Sequence, residues 1–398
     1  MRKLFIITAS LFLGLAVNAQ EAIFDARPLV SPEINSDGTI TFRYRNPSAK
    51  AVQVIGDFLP TKEIDTPRGK AEVTVPGEMQ KDSAGVWVFT TSCKVESGMY
   101  TYRFSVDGSL TIDPSNMFVN RDVATLSSAL IVSGGIGDLF KVQEVPHGTV
   151  SRVWYPSKAS GFSRRMTVYT PAGYENSSKT RYPVLYLLHG AGGDEEAWIT
   201  QGRASQIMDN LIAQGKAKPM IVVMTNGYQS LEAAPGENAQ GYDVPSFRVP
   251  GGMAGAFESA FPEIIDYVDS HYRTIAKKES RAICGLSMGG FHSLFISLNY
   301  PDKFNYVGLF SAAVGVGHDN KSEIYQNMDE KLSAFFSKKP ALYWIGIGKT
   351  DFLYKSNEEF RAKLDAAGYP YAYYESEGGH IWRNWRDYLS KFAPQLFK

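Results

Sequence analysis

The sequence predicts an all-β sandwich followed by an α/β domain with a mostly parallel sheet flanked by helices. Three observations carry this. Residues 28–133 hold short alternating runs such as Ile40-Thr41-Phe42-Arg43-Tyr44, separated by Gly, Asp and Pro turns. From Val150 onward, apolar runs of β type alternate with stretches of helical period. Between the two, Ser133-Gly134-Gly135-Ile136-Gly137-Asp138 is a Gly-rich break, which places a sandwich over 20–135 and a linker over 136–149.

Composition sets the bounds. The 398 residues suffice for two domains, and a hydrophobic content of 44% supplies a large core. Lys plus Arg and Asp plus Glu both count 41, so no nucleic acid partner is expected. Residues 1–19 read as a cleavable export signal: Arg2 and Lys3, an apolar stretch from Leu4 to Leu15, then small residues at Val17-Asn18-Ala19. That stretch is shorter than the ~20 residues a membrane span needs. No cysteine at the cleavage site indicates a lipid anchor, so a periplasmic or secreted chain is expected. Cys93 and Cys284 fall in different predicted domains and read as small core residues. The oligomeric state is open.

Strands of the first domain are expected at Ile40–Tyr44, Val52–Phe58, Trp87–Phe89 and Tyr100–Phe104, with Val106-Asp107-Gly108 as a turn. In the second, over 150–398, Arg152–Tyr155 and Met166–Tyr169 form an antiparallel opening pair. Val184–Leu188 and Met220–Met224 are continuous apolar runs, the pattern of strands buried on both faces. Helical spacing runs over 203–213 and again through Phe257, Phe261, Ile264, Ile265 and Val268. Further strands fall at Ala282–Cys284, Tyr306–Phe310, Leu342–Ile347 and Tyr371–Glu375. Ser356-Asn357-Glu358-Glu359 reads as a capping box opening a helix that ends at Gly368. Trp385, Tyr388, Leu389 and Phe392 mark a closing helix.

The chemistry centres on Gly285-Leu286-Ser287-Met288-Gly289, set between an apolar strand and the helical pattern Phe291, Leu294, Phe295, Leu298. Strand, G-x-S-x-G, helix is the context of a nucleophile elbow. Gly285 and Gly289 let neighbouring backbone pass close, and Ser287 is pushed out beside a helix N-terminus that favours a developing oxyanion. A serine hydroxyl needs a base within reach and a third group to orient that base. In α/β hydrolases these follow the serine in the order acid, then histidine. Of the downstream histidines, His380 follows the last strand in Ser376-Glu377-Gly378-Gly379-His380, where a Gly pair lets a loop swing back over the sheet edge. His292 sits inside the elbow helix and His318 in a Gly-rich loop. Asp351 ends a strand and is the expected acid, with Asp319 as the alternative. The oxyanion hole is assigned to the backbone N–H groups of Met288 and of Ala191, in His189-Gly190-Ala191-Gly192-Gly193, with His189 shaping that loop. No Cys/His/carboxylate spacing suggests a metal site, and such a triad is chemically complete, so no metal or organic cofactor is expected.

Residues 150–398 resemble the carbohydrate esterase family 1 and esterase D group, which includes feruloyl and acetylxylan esterases. The resemblance runs through Tyr182-Pro183-Val184-Leu185-Tyr186-Leu187-Leu188-His189-Gly190, Ala197-Trp198, Gly202-Arg203-Ala204, Asp209-Asn210-Leu211-Ile212, the elbow, and Gly378-Gly379-His380. It implies an α/β hydrolase with nucleophile Ser287, acid Asp351, base His380 and oxyanion donors Ala191 and Met288. The first domain resembles the early-set, immunoglobulin-like modules grouped with family 48 carbohydrate-binding modules. Val54-Ile55-Gly56-Asp57-Phe58, Gly85-Val86-Trp87 and Tyr100–Gly108 carry that likeness. The pair together resembles feruloyl esterases of gut Bacteroidetes. This implies a serine esterase acting on feruloyl esters of plant polysaccharide such as arabinoxylan. Acetylxylan esterase, siderophore trilactone esterase and a glycan-binding protein with an inactive hydrolase domain stand as alternatives. Trp198 and Trp382 are candidates to line an aromatic acyl pocket, and the aperiodic stretch 227–255 to wall it.

Overall fold

The computed structural model describes residues 29–66, 69–239, 241, 244–247, 249–315 and 321–398. The export signal expected over 1–19, and the alternatives His318 and Asp319, lie outside the described residues. Strands of four residues or more and helices of ten or more are numbered below.

The N-terminal region is all-β. It comprises β1 Ile40–Arg45, β2 Val52–Gly56, β3 Thr61–Thr66, β4 Gly69–Thr74, β5 Val86–Thr90, β6 Gly98–Val106, β7 Val119–Asp122 and β8 Thr125–Val132. One sheet pairs β1 with β5; the other runs β7-β8-β6-β2; β3 and β4 form a separate hairpin. Period-2 alternation sends Ile40, Phe42, Val52, Val54, Tyr102 and Phe104 into a shared core between the sheets. Cys93 is exposed, against the expectation of a core residue, and Cys284 is buried; both are free.

The second region holds β9 Thr149–Ser157, β10 Phe162–Thr170, β11 Val184–Leu188, α1 Ala204–Ala213, β12 Ile221–Thr225, α2 Ala256–His271, β13 Arg281–Leu286 and α3 Met288–Asn299. It continues with β14 Tyr306–Phe310, α4 Met328–Ser337, β15 Leu342–Gly348, α5 Tyr354–Ala366, β16 Ala372–Ser376 and α6 Trp382–Phe392. One eight-stranded sheet runs β9-β10-β12-β11-β13-β14-β15-β16. The β9/β10 and β10/β12 pairs are antiparallel, and every later pair is parallel. Alternation along β11 shows how the layers form: Val184, Tyr186 and Leu188 pack under α2 and α3, while Leu185 and Leu187 face α1 and α6.

Three further details depart from expectation. The segment expected as a linker over 136–149 is docked, because Ile136–Phe140 forms a 3₁₀ turn with Phe140 buried. Asn210 Nδ2 donates to Leu139 O at 3.0 Å and Lys141 O at 2.9 Å, and Arg203 Nε donates to Phe140 O at 2.9 Å. The capping box at Ser356 does not form: α5 starts at Tyr354, and Ser356 Oγ donates back to Leu353 O at 2.9 Å. The helix α4, with Leu332, Phe335 and Phe336 buried, has no counterpart among the elements expected from the sequence.

The two regions share a packed junction. Met99, Ala129 and Phe140 join the core on the α1/α6 face of the sheet. Arg386 of α6 is buried and donates to Met99 O at 2.7 Å and Gln201 O at 2.8 Å. Burial lowers its guanidinium to about 10, so it stays charged at neutral pH.

Candidate active site

The elbow is built by close backbone approach. A Cβ on Gly285 would lie 2.5 Å from the carbonyl carbon of Gly289, and one on Gly289 would lie 2.5 Å from the backbone oxygens of Leu188 and His189. Only glycine fits at both. Between them Ser287 is held at φ 54° and ψ −113°, a backbone a non-glycine residue adopts only under strain. Its N–H donates to Phe310 O at 2.9 Å, which ties the turn to β14.

His380 lies in the loop between β16 and α6. Its Nδ1 faces Asp351 Oδ2 at 2.9 Å and Oδ1 at 3.1 Å. Asp351 is buried and also accepts the Leu353 N–H at 2.9 Å, an Asx turn that leads into α5, so its carboxylate fixes this turn as well as holding the imidazole. The rings of Phe352 and Trp385 contact the imidazole at centroid distances of 4.5 and 4.9 Å. Ser287 and His380 face one cavity of about 190 Å³ with Gly190 and Ala191.

Met288 is the first residue of α3, whose leading N–H groups have no intrahelical partner. Among the described residues no acceptor takes the N–H of Met288 or of Ala191. The loop carrying Ala191 is braced. Gly192 N–H donates to Tyr228 OH at 2.6 Å, and Trp198 Nε1 donates to Leu188 O at 2.9 Å. His189 Nδ1 bonds Gly190 O at 2.7 Å, and its Nε2 accepts the Gly227 N–H at 2.7 Å. Burial holds that imidazole down at about 4, so it is neutral and Nδ1 carries the proton.

The remaining candidates fall apart in space. Trp198 is 1% exposed and does not line the cavity. Its indole is spent on Leu188 O and it supports Trp382 from below, at 5.3 Å between ring centroids. Trp382 does line the cavity. His292 is buried against Glu258, Nδ1 to Oε1 2.7 Å, and does not line the cavity. Four cavity residues had no role in the sequence reading, Gln201 among them. Phe247 comes from the 227–255 stretch and is 58% exposed. Asp122 and Val123 come from the tip of the β7–β8 hairpin. The length and aperiodicity of 227–255 pointed to Phe247; no local signal ties a hairpin of one domain to the cleft of another.

An elbow serine, an acid-bound histidine and two free amides at one sheet edge define the class: an α/β hydrolase. Residues 157–396 match the esterase family described as "Putative esterase", and the chain belongs to that family. The chain is 32% identical over 375 residues to an endo-1,4-beta-xylanase/feruloyl esterase of Xylanibacter ruminicola, covering 92% of this chain and 46% of that protein. It therefore spans less than half of that relative. A CE1 ferulic acid esterase of the fungus Anaeromyces mucronatus superposes with a TM-score of 0.54 at 25% identity, covering 71% of this chain and 97% of the other. The enterobactin esterase of Shigella flexneri shares the fold across both regions, with a TM-score of 0.60 at 17% identity over 90% of this chain and 93% of the other.

Proposed function

We propose that this chain is a serine esterase that removes hydroxycinnamoyl groups, feruloyl above all, from sugars of plant cell-wall polysaccharide such as arabinoxylan. The observation that carries the reading is the cavity itself: Ser287, His380 and the Ala191 loop share it with the aromatic walls Phe247 and Trp382. Likeness to a feruloyl esterase over 92% of the chain supports it.

In this reading Ser287 Oγ attacks the ester carbonyl while His380 Nε2 takes its proton. Asp351 holds the Nδ1–H and stabilises the imidazolium. The carbonyl oxygen becomes an oxyanion held by the Ala191 and Met288 N–H groups, each worth roughly 10²–10³ in kcat. His380 returns the proton to the departing sugar oxygen, leaving an acyl group on Ser287. Water, activated by the same histidine, then releases the acid. The phenolic ring packs on the Phe247 side. There the 227–255 stretch adds a 230 Å³ pocket with Tyr228, Leu231, Val244 and Pro245 in its wall. Export is part of the proposal, motivated by the pattern of residues 1–19.

The test is kcat/KM for methyl ferulate, acetylated xylan and a catechol trilactone, side by side. Ferulate preferred, and ferulic acid released from arabinoxylan fragments, supports the reading. Preference for acetyl groups would make the enzyme an acetylxylan esterase, and preference for the trilactone a siderophore esterase.

A further inference from the structure

Beside the cavity that holds Ser287 lies a second, larger cleft of about 450 Å³, within the ~300–1,000 Å³ range of small-molecule sites. The two share Asp122, Val123, Gln201, His380, Trp382 and Trp385. They differ in a telling way. The smaller cavity is lined by Gly190, Ala191 and Gly193 of the oxyanion loop, and the larger by none of them. The larger cleft therefore opens from the His380 side of the nucleophile, away from the oxyanion donors. A base that returns its proton to the leaving oxygen must have the departing alcohol on its own side.

More than half of this cleft's wall belongs to the sandwich. Asp57, Thr101, Arg103, Asn120, Thr125 and Ser127 supply carboxylate, hydroxyl, guanidinium and amide groups, facing Trp382 and Trp385 of α6. Asn120 is 4% exposed, and its Nδ2 has no acceptor among the described residues. An unmet buried donor carries a desolvation cost, which a ligand oxygen would relieve. Polar groups of mixed sign opposite a flat indole suit a polyhydroxylated ring, which offers donors and acceptors on its edge and C–H groups on its faces.

The hairpin that carries this wall is pinned to the catalytic domain at its tip. Val123 sits at φ 51°, a strained backbone for a β-branched residue. It packs on the oxyanion loop so closely that a Cβ on Gly192 would come within 2.5 Å of its Cγ2. Next to it, Arg121 forms an ion pair with the buried Asp194. The sandwich is thus held in register with the nucleophile.

We propose that this interdomain cleft is the leaving-group subsite, in which the sandwich domain grips the sugar whose ester is cut. The inference rests on the esterase reading above and adds to it that the first domain completes the active site. It predicts selectivity on small soluble esters, without need of a polymer.

The experiment compares kcat/KM for a feruloylated arabinose oligosaccharide and for methyl ferulate, in the full chain and in Ser127→Trp and Arg103→Ala. Ser127→Trp fills the cleft. Arg103→Ala only removes atoms, and it carries the test should the tryptophan variant not fold. Wild type is expected to favour the sugar ester at least tenfold, and each folded variant to shrink that ratio at least fivefold, mainly through KM. A wild type with no preference, or variants in which both esters fall equally or not at all, would overturn the proposal. If wild type prefers acetate to ferulate, the acyl reading fails on its own. The subsite is then read by the same ratio with acetylated xylo-oligosaccharide against p-nitrophenyl acetate.

Discussion

His380 presents Nδ1 to both carboxylate oxygens of Asp351, and the same carboxylate accepts the Leu353 N–H in the turn that leads into α5. One aspartate thus serves the helix start and the imidazole. Asp351→Asn keeps the turn, since an Asn side-chain oxygen accepts the same i+2 N–H, and spoils the imidazole tautomer. Loss of about 10³–10⁴ in kcat is expected with little change in Tm. Retention of a tenth of wild-type kcat on p-nitrophenyl acetate would show that another acid serves His380.

Ser287 is tested by two substitutions that separate chemistry from strain. Ser287→Ala and Ser287→Gly should each lose roughly 10⁴–10⁶ in kcat, the scale for removal of a nucleophile. At φ 54° and ψ −113° alanine keeps the backbone strain and glycine relieves it. Ser287→Gly should therefore be the more stable of the two by about 1 kcal/mol or more in urea unfolding. Equal stabilities would mean that the elbow is not strained.

Gly289 has no room to grow. A methyl group there would meet the Leu188 and His189 carbonyl oxygens at 2.5 Å, and both are backbone atoms of the strand and loop beside the elbow. Gly289→Ala is expected to cost about 1–3 kcal/mol in stability, the usual scale of overpacking. It should also lower kcat more than it raises KM, because Met288 N–H moves with the helix start. A fully active Gly289→Ala enzyme would contradict the geometry of the elbow.

The elements that were legible in the sequence are those whose pattern is local. Val184–Leu188 is apolar throughout because the strand is buried on both faces, and Gly285 and Gly289 bracket Ser287 because two backbones touch there. Asp351 and His380 were found by their order after the serine, and the structure sets them in contact. What failed was what depends on the third dimension. Trp198 and Trp382 flank the same loops in sequence, yet one props a carbonyl in the core and the other lines the cavity. Ser356 satisfies a capping pattern, but the turn held by Asp351 starts the helix two residues before it, so Ser356 falls inside the first turn. Val123 and Phe247 reach the site across a domain boundary and from a long loop, neither of which leaves a periodic trace.

The neutral His189 gives the fold a dependence on pH. Burial holds its imidazole down at about 4, against 6.5 for a free histidine. Between those values the unfolded chain binds the extra proton and the folded chain does not, so stability rises with pH. The contribution is fully present above about pH 6.5 and is lost as pH falls toward the folded value. From pH 7 to pH 4.5 the loss from this one group is about 2 kcal/mol. The cause is desolvation of the buried ring, and Nε2 accepts the Gly227 N–H, where a proton would set two donors against each other. His189→Gln offers an amide oxygen to Gly227 and cannot titrate. The variant should be less stable at pH 7, since the bond to Gly190 O is lost. Its urea midpoint should fall less than that of wild type between pH 7 and pH 4.5, by the equivalent of about 2 kcal/mol. Parallel pH dependences in the two proteins would mean that His189 takes up its proton without opposing the fold. In that case the brace on the Ala191 loop would have to come from Tyr228 and Trp198 alone.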